Sequence, residues 1–183
     1  MSTYTEIQIL EGCRKGKESY QELLYKLYYS YGMSVSLRYA CVRDEAIEIL
    51  NDAFMKVFDN IDRFDSKQSF KPWFRQILVN TAIDYIRKNS KSRYFTEPEV
   101  LTEAEPDVID SLNAEDILKL LSTLPETYRT IFNLYEIEGY SHDEIADKMG
   151  IPAGTSRSYL TRAKKILRDA YIKLYQNLYY EAI

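Results

Sequence analysis

Apolar residues recur every three or four positions along most of this chain, the spacing that lines up side chains on one face of an α-helix. The pattern extends over long stretches on both sides of residues 96–111. Residues 96–111 are themselves acidic, contain two prolines and keep no period, which indicates a flexible linker. The sequence therefore predicts an all-α protein with two small helical domains, residues 1–95 and 112–183, joined by this acidic linker.

A helix-turn-helix is predicted in the second domain. Gly139 can end the preceding helix in the left-handed conformation, and Ser141 with Glu144 forms a capping box for a short helix. Glycine and proline at residues 150–154 then break the chain, and Thr155 is the expected N-cap of a second helix. The result is two helices joined by one tight turn.

The second helix of this motif is expected to carry a basic and hydrogen-bonding outer face. An α-helix fits the major groove, where arginine pairs with guanine and hydroxyl groups bond to base edges and phosphates. A solvated amphipathic helix is the alternative, but the capped helix and turn upstream favour DNA binding. The face comprises Arg157, Ser158, Thr161, Arg162, Lys165 and Arg168.

An acidic strip is predicted on the outer face of a helix over residues 44–61, with Asp44 as its N-cap. The strip contains Glu48, Asn51, Asp52, Met55 and Asp59. A solvated face is the simpler interpretation. The alternative is a docking surface for a basic partner, with the methionine as an adaptable apolar contact.

A polar loop over residues 62–71 leads into a long helix that starts near Pro72. Basic side chains on this helix lie beside aromatic ones, a combination that suits single-stranded DNA, whose backbone follows positive charge and whose bases stack. Core packing is the alternative for Trp73 and Phe74, and it is the one favoured for these two rings.

Charge is distributed unevenly, although the net charge of the 183 residues is −4. Residues 96–116 hold 8 acidic and no basic side chains, whereas residues 1–95 hold 15 basic against 12 acidic ones. The acidity therefore belongs to the middle of the chain. Basic patches on both sides of it remain available to attract phosphate.

Several other classes of protein or site are disfavoured. The chain has no apolar run long enough to span a bilayer and no signal peptide at its start, which predicts a cytoplasmic protein without membrane insertion. Cys13 and Cys41 lack metal-ligand spacing and are expected to be buried thiols. His142 is expected to be a surface residue. No catalytic, metal or cofactor site is predicted.

The chain resembles the bacterial RNA polymerase sigma factors of the extracytoplasmic-function (ECF) group. Residues 45–65 and 70–88 are similar to the second conserved region of that family, and residues 124–168 to the fourth. The resemblance implies a non-enzymatic subunit that docks on core RNA polymerase, recognises promoter DNA as duplex and as single strand, and helps to melt it. An anti-sigma protein is a further partner found in this family.

The resemblance also implies roles for particular residues. Glu48, Asn51, Asp52 and Met55 match the surface that binds the β′ clamp helices, and the β flap is a second polymerase contact in the family. The basic outer face of the helix-turn-helix corresponds to the reader of the −35 element. The part that captures an unpaired base of the −10 element corresponds to Phe64, Ser66, Lys67, Phe70, Trp73, Arg75 and Asn80.

Two positions in the second helix of the motif depart from the family. A branched apolar residue is usual where Ser156 stands, and a basic residue is frequent where Tyr159 stands.

A different function, that of a two-domain repressor or activator binding duplex DNA without polymerase, stays open. It would need a dimer interface, for which the tyrosine-rich C-terminal helix with Tyr171, Tyr175 and Tyr179 is the available surface. A nucleic-acid enzyme finds no support, since neither a phosphate-binding glycine loop nor a metal-ligand cluster is present.

Overall fold

A computed structural model describes residues 4–89 and 114–181 of the chain. These ranges contain no β-strand, which confirms the all-α prediction. The chain consists of two compact units, and the boundary between them lies between Lys88 and Asn89. The predicted linker, residues 96–111, and the side chains of Tyr175 and Tyr179 lie outside the described part. The helices are α1 (Glu6–Arg14), α2 (Glu18–Ser36), α3 (Arg43–Asn60), α4 (Phe70–Asn89), α5 (Ala114–Ser122), α6 (Glu126–Phe132), α7 (His142–Met149) and α8 (Ala153–Glu181).

The first unit is built from α1 to α4 around an aromatic core. Phe70 and Phe74 of α4 stack at 5.7 Å, and Phe74 also lies 4.8 Å from Phe54 of α3. Gly32 allows α2 to approach this core closely, because a Cβ atom there would lie 2.3 Å from Leu50 Cδ1. A 3-10 turn, Ile61–Arg63, follows α3 and starts the connection to α4.

The second unit packs α5, α6 and α7 against α8. Leu121 and Leu124 meet Tyr128 of α6 and Ala163 of α8 in its buried core. A π-turn over Asn133–Ile137 follows α6 and leads toward the helix-turn-helix. The predicted capping box of α7 is confirmed, since Glu144 N donates to Ser141 Oγ and Ser141 N donates to the Glu144 carboxylate.

Three helices begin earlier than predicted, and one of them is α4, which begins at Phe70 rather than near Pro72. Helix α3 begins at Arg43 rather than after Asp44, and the Glu45 carboxylate accepts a hydrogen bond from Cys41 N at 2.7 Å just ahead of it. Helix α8 begins at Ala153, because Pro152 O already accepts hydrogen bonds from the backbone N–H groups of the next turn. Thr155 is therefore inside the helix. Proline has its φ preset near the helical value, which favours this earlier start.

Three side chains are exposed although residue type or spacing favours burial, and one of them is Cys41, which was expected to be a buried thiol. Ile7 is 61% exposed and Leu27 is 54% exposed, although both keep the helical spacing of their buried neighbours. Cys41 is also exposed, whereas Cys13 is buried as predicted, and burial raises the pKa of its thiol to about 11. Periodicity defines an apolar stripe along a helix. How much of that stripe is buried depends on where the neighbouring helices lie.

Candidate nucleic-acid interface

Helix α8 presents all six of its predicted DNA-contacting side chains to solvent. Ser158 Oγ donates to Thr155 O at 2.9 Å, and Thr161 Oγ1 donates to Arg157 O at 3.0 Å. Both hydroxyl protons are thus used within the helix, which leaves oxygen lone pairs as outward acceptors. This face therefore combines cationic donors with neutral acceptors, the two kinds of group that read base edges.

The basic side chains on this face differ in how they are held. Arg162 Nη1 donates to the Tyr128 hydroxyl at 3.2 Å, so one side of its guanidinium is fixed by the second unit itself. Among the described residues Arg157, Lys165 and Arg168 form no ion pair. Their charges are therefore not neutralised by a nearby carboxylate and remain available for phosphate or guanine.

Tyr159 and Ser156, the two departures in this helix, both face the interior. The Tyr159 ring packs against Tyr128 at 4.9 Å, which makes it a core side chain rather than a DNA contact. Ser156 is fully buried, and its Oγ lies 2.9 Å from His142 Nδ1. A buried hydroxyl without a hydrogen-bond partner is costly. His142 supplies that partner to Ser156, and an apolar residue at this position would not need one.

His142, which was expected to be a surface residue, is half-buried and makes structural contacts. Its ring stacks on Tyr135 of the π-turn at 4.5 Å, while its Nδ1 reaches α8. Lys164 of α8 pairs with Glu136 at 2.7 Å beside the same stack. These contacts join the π-turn, α7 and the first turns of α8, and they fix the start of the helix that carries Arg157.

The stability of the second unit should fall as the pH drops below 6.5, the ordinary pKa of histidine. Burial, and then the charge of Arg157, lower the pKa of His142 from 6.5; Asp143 opposes this shift and Lys164 adds to it. From pH 6.5 down to the lowered folded pKa, the unfolded chain binds a proton that the folded chain does not. The contribution of neutral His142 to stability is therefore fully present above pH 6.5 and is lost as pH falls through that window.

Hydrogen exchange of the amides in α7 and α8, measured against pH, checks this expectation. His142→Asn is the control, because asparagine keeps a polar atom toward Ser156 but does not titrate in this range. Its exchange should lack the component seen in the wild type below pH 6.5. Identical pH profiles for the two proteins would contradict the assignment to His142.

The acidic strip on α3 is exposed as predicted from the helical period. Lys56 lies one turn from Asp52 but pairs with Asp84 at 3.1 Å, so it does not neutralise Asp52. Within the described ranges neither Glu48 nor Asp52 forms an ion pair. Asn51 is held by the Tyr25 hydroxyl at 3.0 Å, and Met55 is 60% exposed. The strip thus offers unpaired carboxylates around one apolar side chain.

The residues proposed for the −10 element separate into buried and accessible groups. Phe64 and Phe70 are buried, and their rings lie 5.6 Å apart in an edge contact. They therefore support the loop from inside and do not stack on a base. Ser66 and Lys67 are exposed, whereas Trp73, Arg75 and Asn80 are half-buried.

Arg14 was not singled out from the sequence, and neither was the contact between His142 and Ser156. Arg14 contacts the loop before α4 from a helix 50 residues away in sequence. Helical periodicity gives no information on such distant pairs. The departure at Ser156 was visible in the sequence, but the histidine that compensates for it was not.

No described helix is long and apolar enough to cross a bilayer.

Known proteins resemble both units of the chain. The family description "Sigma-70 region 2" matches residues 18–92, and "Sigma-70, region 4" matches residues 114–167. The chain is 35% identical over 139 residues to the ECF RNA polymerase sigma factor SigW of Bacillus subtilis, a match covering 68% of this chain and 74% of SigW. It is 25% identical over 181 residues to the ECF RNA polymerase sigma-E factor of Haemophilus influenzae, covering 90% of this chain and 94% of that protein.

Among solved structures, the chain is similar to the sigma factor RpoE of Bartonella quintana, crystallised in complex with the anti-sigma factor NepR. That similarity has 24% identity and a TM-score of 0.48, and covers 81% of this chain and 94% of that one. The two family regions together account for most of the chain, in the order that the resemblance predicted. The chain therefore belongs to the sigma-70 family, as an ECF sigma factor that binds core RNA polymerase and promoter DNA and initiates transcription from specific promoters.

Proposed function

We propose that the two units of this sigma factor recognise two separate promoter elements. Residues 112–183 would bind the −35 element, and residues 1–95 would bind the −10 element and core polymerase, with residues 96–111 as the connection. An extended chain of that length reaches about 50 Å, more than one turn of DNA. The observation that carries the proposal is the exposed basic face of α8 behind a capped helix-turn-helix, on which Arg157, Lys165 and Arg168 form no ion pair with other described residues.

The −35 element is assigned to the outer face of α8. Arg157 lies one residue beyond the buried Ser156, in the first turns of a helix whose start is fixed by His142. The first turns of a recognition helix enter the major groove most deeply in this class of motif. We therefore assign base contacts to Arg157, Ser158, Thr161 and Arg162, and backbone contacts to Lys165 and Arg168.

The −10 element is assigned to the loop before α4 and to the adjoining face of that helix. Ser66 and Lys67 offer a hydroxyl and a cation in solution, as a splayed single strand requires. The adjoining face of α4 would contact the same strand through Trp73, Arg75 and Asn80. Phe64 and Phe70 hold the loop by packing beneath it.

Core polymerase is assigned to the acidic strip of α3. Its unpaired carboxylates suit a basic partner, and the β′ clamp helices are the partner that the family resemblance implies. A β-flap contact and an anti-sigma partner stay predictions without assigned residues. We further propose that the protein is a binding subunit without chemistry of its own and that it works in the cytoplasm, where the bacterial chromosome lies.

Reconstitution tests this function against that of a polymerase-independent repressor or activator. The purified chain should co-elute with core RNA polymerase and direct transcription from promoters that core alone ignores. Sequencing the transcripts made when the protein is overproduced supplies those promoters. Specific footprinting by the isolated protein, without formation of a holoenzyme, would instead support the repressor or activator.

Arg157→Ala should weaken recognition of the −35 element by about 1 to 3 kcal/mol if Arg157 pairs bidentately with guanine. Affinity for core polymerase should not change, because the substitution lies in the other unit. Holoenzyme binding to promoters with intact and scrambled −35 elements measures the effect. Lys173→Ala removes an equal charge from α8 outside the assigned face and should retain discrimination. Equal losses in the two variants would point to general attraction of phosphate.

A further inference from the structure

The loop before α4 is held by a side chain from α1. Arg14, the last residue of α1, donates from Nε to Ile61 O at 3.5 Å and from Nη1 to Ser66 Oγ at 2.8 Å. Its Nη2 donates to the carbonyl oxygen of Phe64. One planar guanidinium thus binds three points on a segment about 50 residues away in sequence.

The same loop is anchored from its inner side. The buried Phe64 ring lies 5.1 Å from Trp73 in α4. Asp65 closes the turn, since its Oδ1 accepts from Lys67 N at 3.0 Å and its carbonyl oxygen accepts from Gln68 N at 2.9 Å. The loop is thus held on both sides and presents Ser66 and Lys67 to solvent.

The Arg14 contact also orients the hydroxyl of Ser66. A serine hydroxyl has one proton and two lone pairs, and the bond from Arg14 occupies one lone pair. The proton is then left for an acceptor outside the protein, such as an oxygen or ring nitrogen of a base. Lysine in place of arginine would supply a single compact ammonium, which cannot match three separated acceptors.

We propose that Arg14 is a positioning residue for −10 recognition: it fixes the loop over residues 64–69 so that Ser66 and Lys67 meet the unpaired base in a defined geometry. This inference rests on the proposed function of that loop. Arg14 acts through the loop and not through contact with DNA. Its effect should therefore fall on discrimination among bases at one position, with polymerase binding and −35 recognition unchanged.

The loop itself is tested first, with the full chain and no polymerase. Trp73 is the only tryptophan in the sequence and packs on Phe64, so its fluorescence reports on the loop. Quenching by acrylamide should increase in Arg14→Gln. Lys15→Gln is the matched control, because it removes one positive charge from the same end of α1. Lys15 is exposed and is not among the loop's hydrogen-bond donors. Quenching of Trp73 in Lys15→Gln should therefore equal that in the wild type.

Discrimination is then measured with reconstituted holoenzyme on promoters carrying each of the four bases at the captured −10 position. Arg14→Gln should lower the preference for the favoured base about tenfold, the effect of losing hydrogen bonds to a charged group. Arg14→Lys should lose discrimination similarly, although it keeps the charge. In a Ser66→Ala background the Arg14→Gln substitution should have a smaller effect, since the two residues act together.

The outcomes separate the inference from the function on which it rests. Unchanged quenching and discrimination in Arg14→Gln overturn the inference, and so does increased quenching with wild-type discrimination, which would make Arg14 a purely structural contact. Equal losses in Lys15→Gln also overturn it. A wild-type holoenzyme that does not distinguish the four bases overturns the proposed role of the loop, and this result is obtained before any variant is compared.

Discussion

A chain carrying Asp52→Lys should bind core RNA polymerase about 2 to 5 kcal/mol more weakly than the wild type. Asp52 is exposed on α3, and its nearest lysine in sequence, Lys56, is paired with Asp84. The carboxylate is therefore free to meet a basic partner. Reversal of its charge replaces an attraction with a repulsion at the same place. A competition assay against wild-type sigma for a limiting amount of core polymerase measures the change.

The matched control is Glu11→Lys, which reverses an exposed charge on α1 instead. It changes the net charge of the chain by the same amount, so a difference between the two variants cannot come from long-range attraction alone. Glu11→Lys should compete for core polymerase as the wild type does. Loss of promoter specificity in Asp52→Lys without loss of core binding would show that the acidic strip has been assigned the wrong partner.

Phe74→Ala should destabilise the first unit by about 3 to 5 kcal/mol, since deletion of a buried aromatic ring removes its packing and leaves a cavity. Phe74 is fully buried and contacts aromatic rings from two other helices, at 4.8 Å for Phe54 and 5.9 Å for Tyr28. Whole domains are stable by only about 5 to 15 kcal/mol, so much of the unit would be unfolded at physiological temperature. Core binding and −10 recognition would be lost with it.

Urea unfolding followed by Trp73 fluorescence measures this loss, because the single tryptophan lies in the first unit. Phe58→Ala is the control, since Phe58 is half-buried and makes one of the looser ring contacts, 6.0 Å from Phe54. Its unfolding midpoint should move much less. If the two midpoints shift equally, the packing around Phe74 does not dominate the stability of this unit.

The helix-turn-helix shows how far local chemistry can be read from a sequence. Gly139 and Gly150 both adopt positive φ, at 79° and 68°, and the Ser141 capping box forms as its spacing predicts. These features depend on residues at most a few positions apart. Local rules misplaced helix starts, since α3, α4 and α8 each begin earlier than predicted.

Side chains within the predicted site were harder to place, because residue type does not reveal exposure. Phe64 and Phe70 have rings suited to stacking on a base, but both fill the core beneath the loop. Arg162 has the donors to read guanine, yet one of them is bound to Tyr128. Each of these outcomes depends on a partner in another helix, which periodicity along one helix does not identify.

By itself the sequence determined the all-α class, the division into two helical units, the capped helix-turn-helix and the family, because each follows from residue types and spacings within one segment. Tertiary structure decided which rings are buried, that Ile7 and Leu27 stay exposed, and which side chains hold the loop before α4 and the start of α8 in place. Arg14 meets its loop across about 50 residues and His142 meets Ser156 across 14. Contacts of that kind arise only when separate helices pack together, since packing alone brings their side chains within hydrogen-bonding distance.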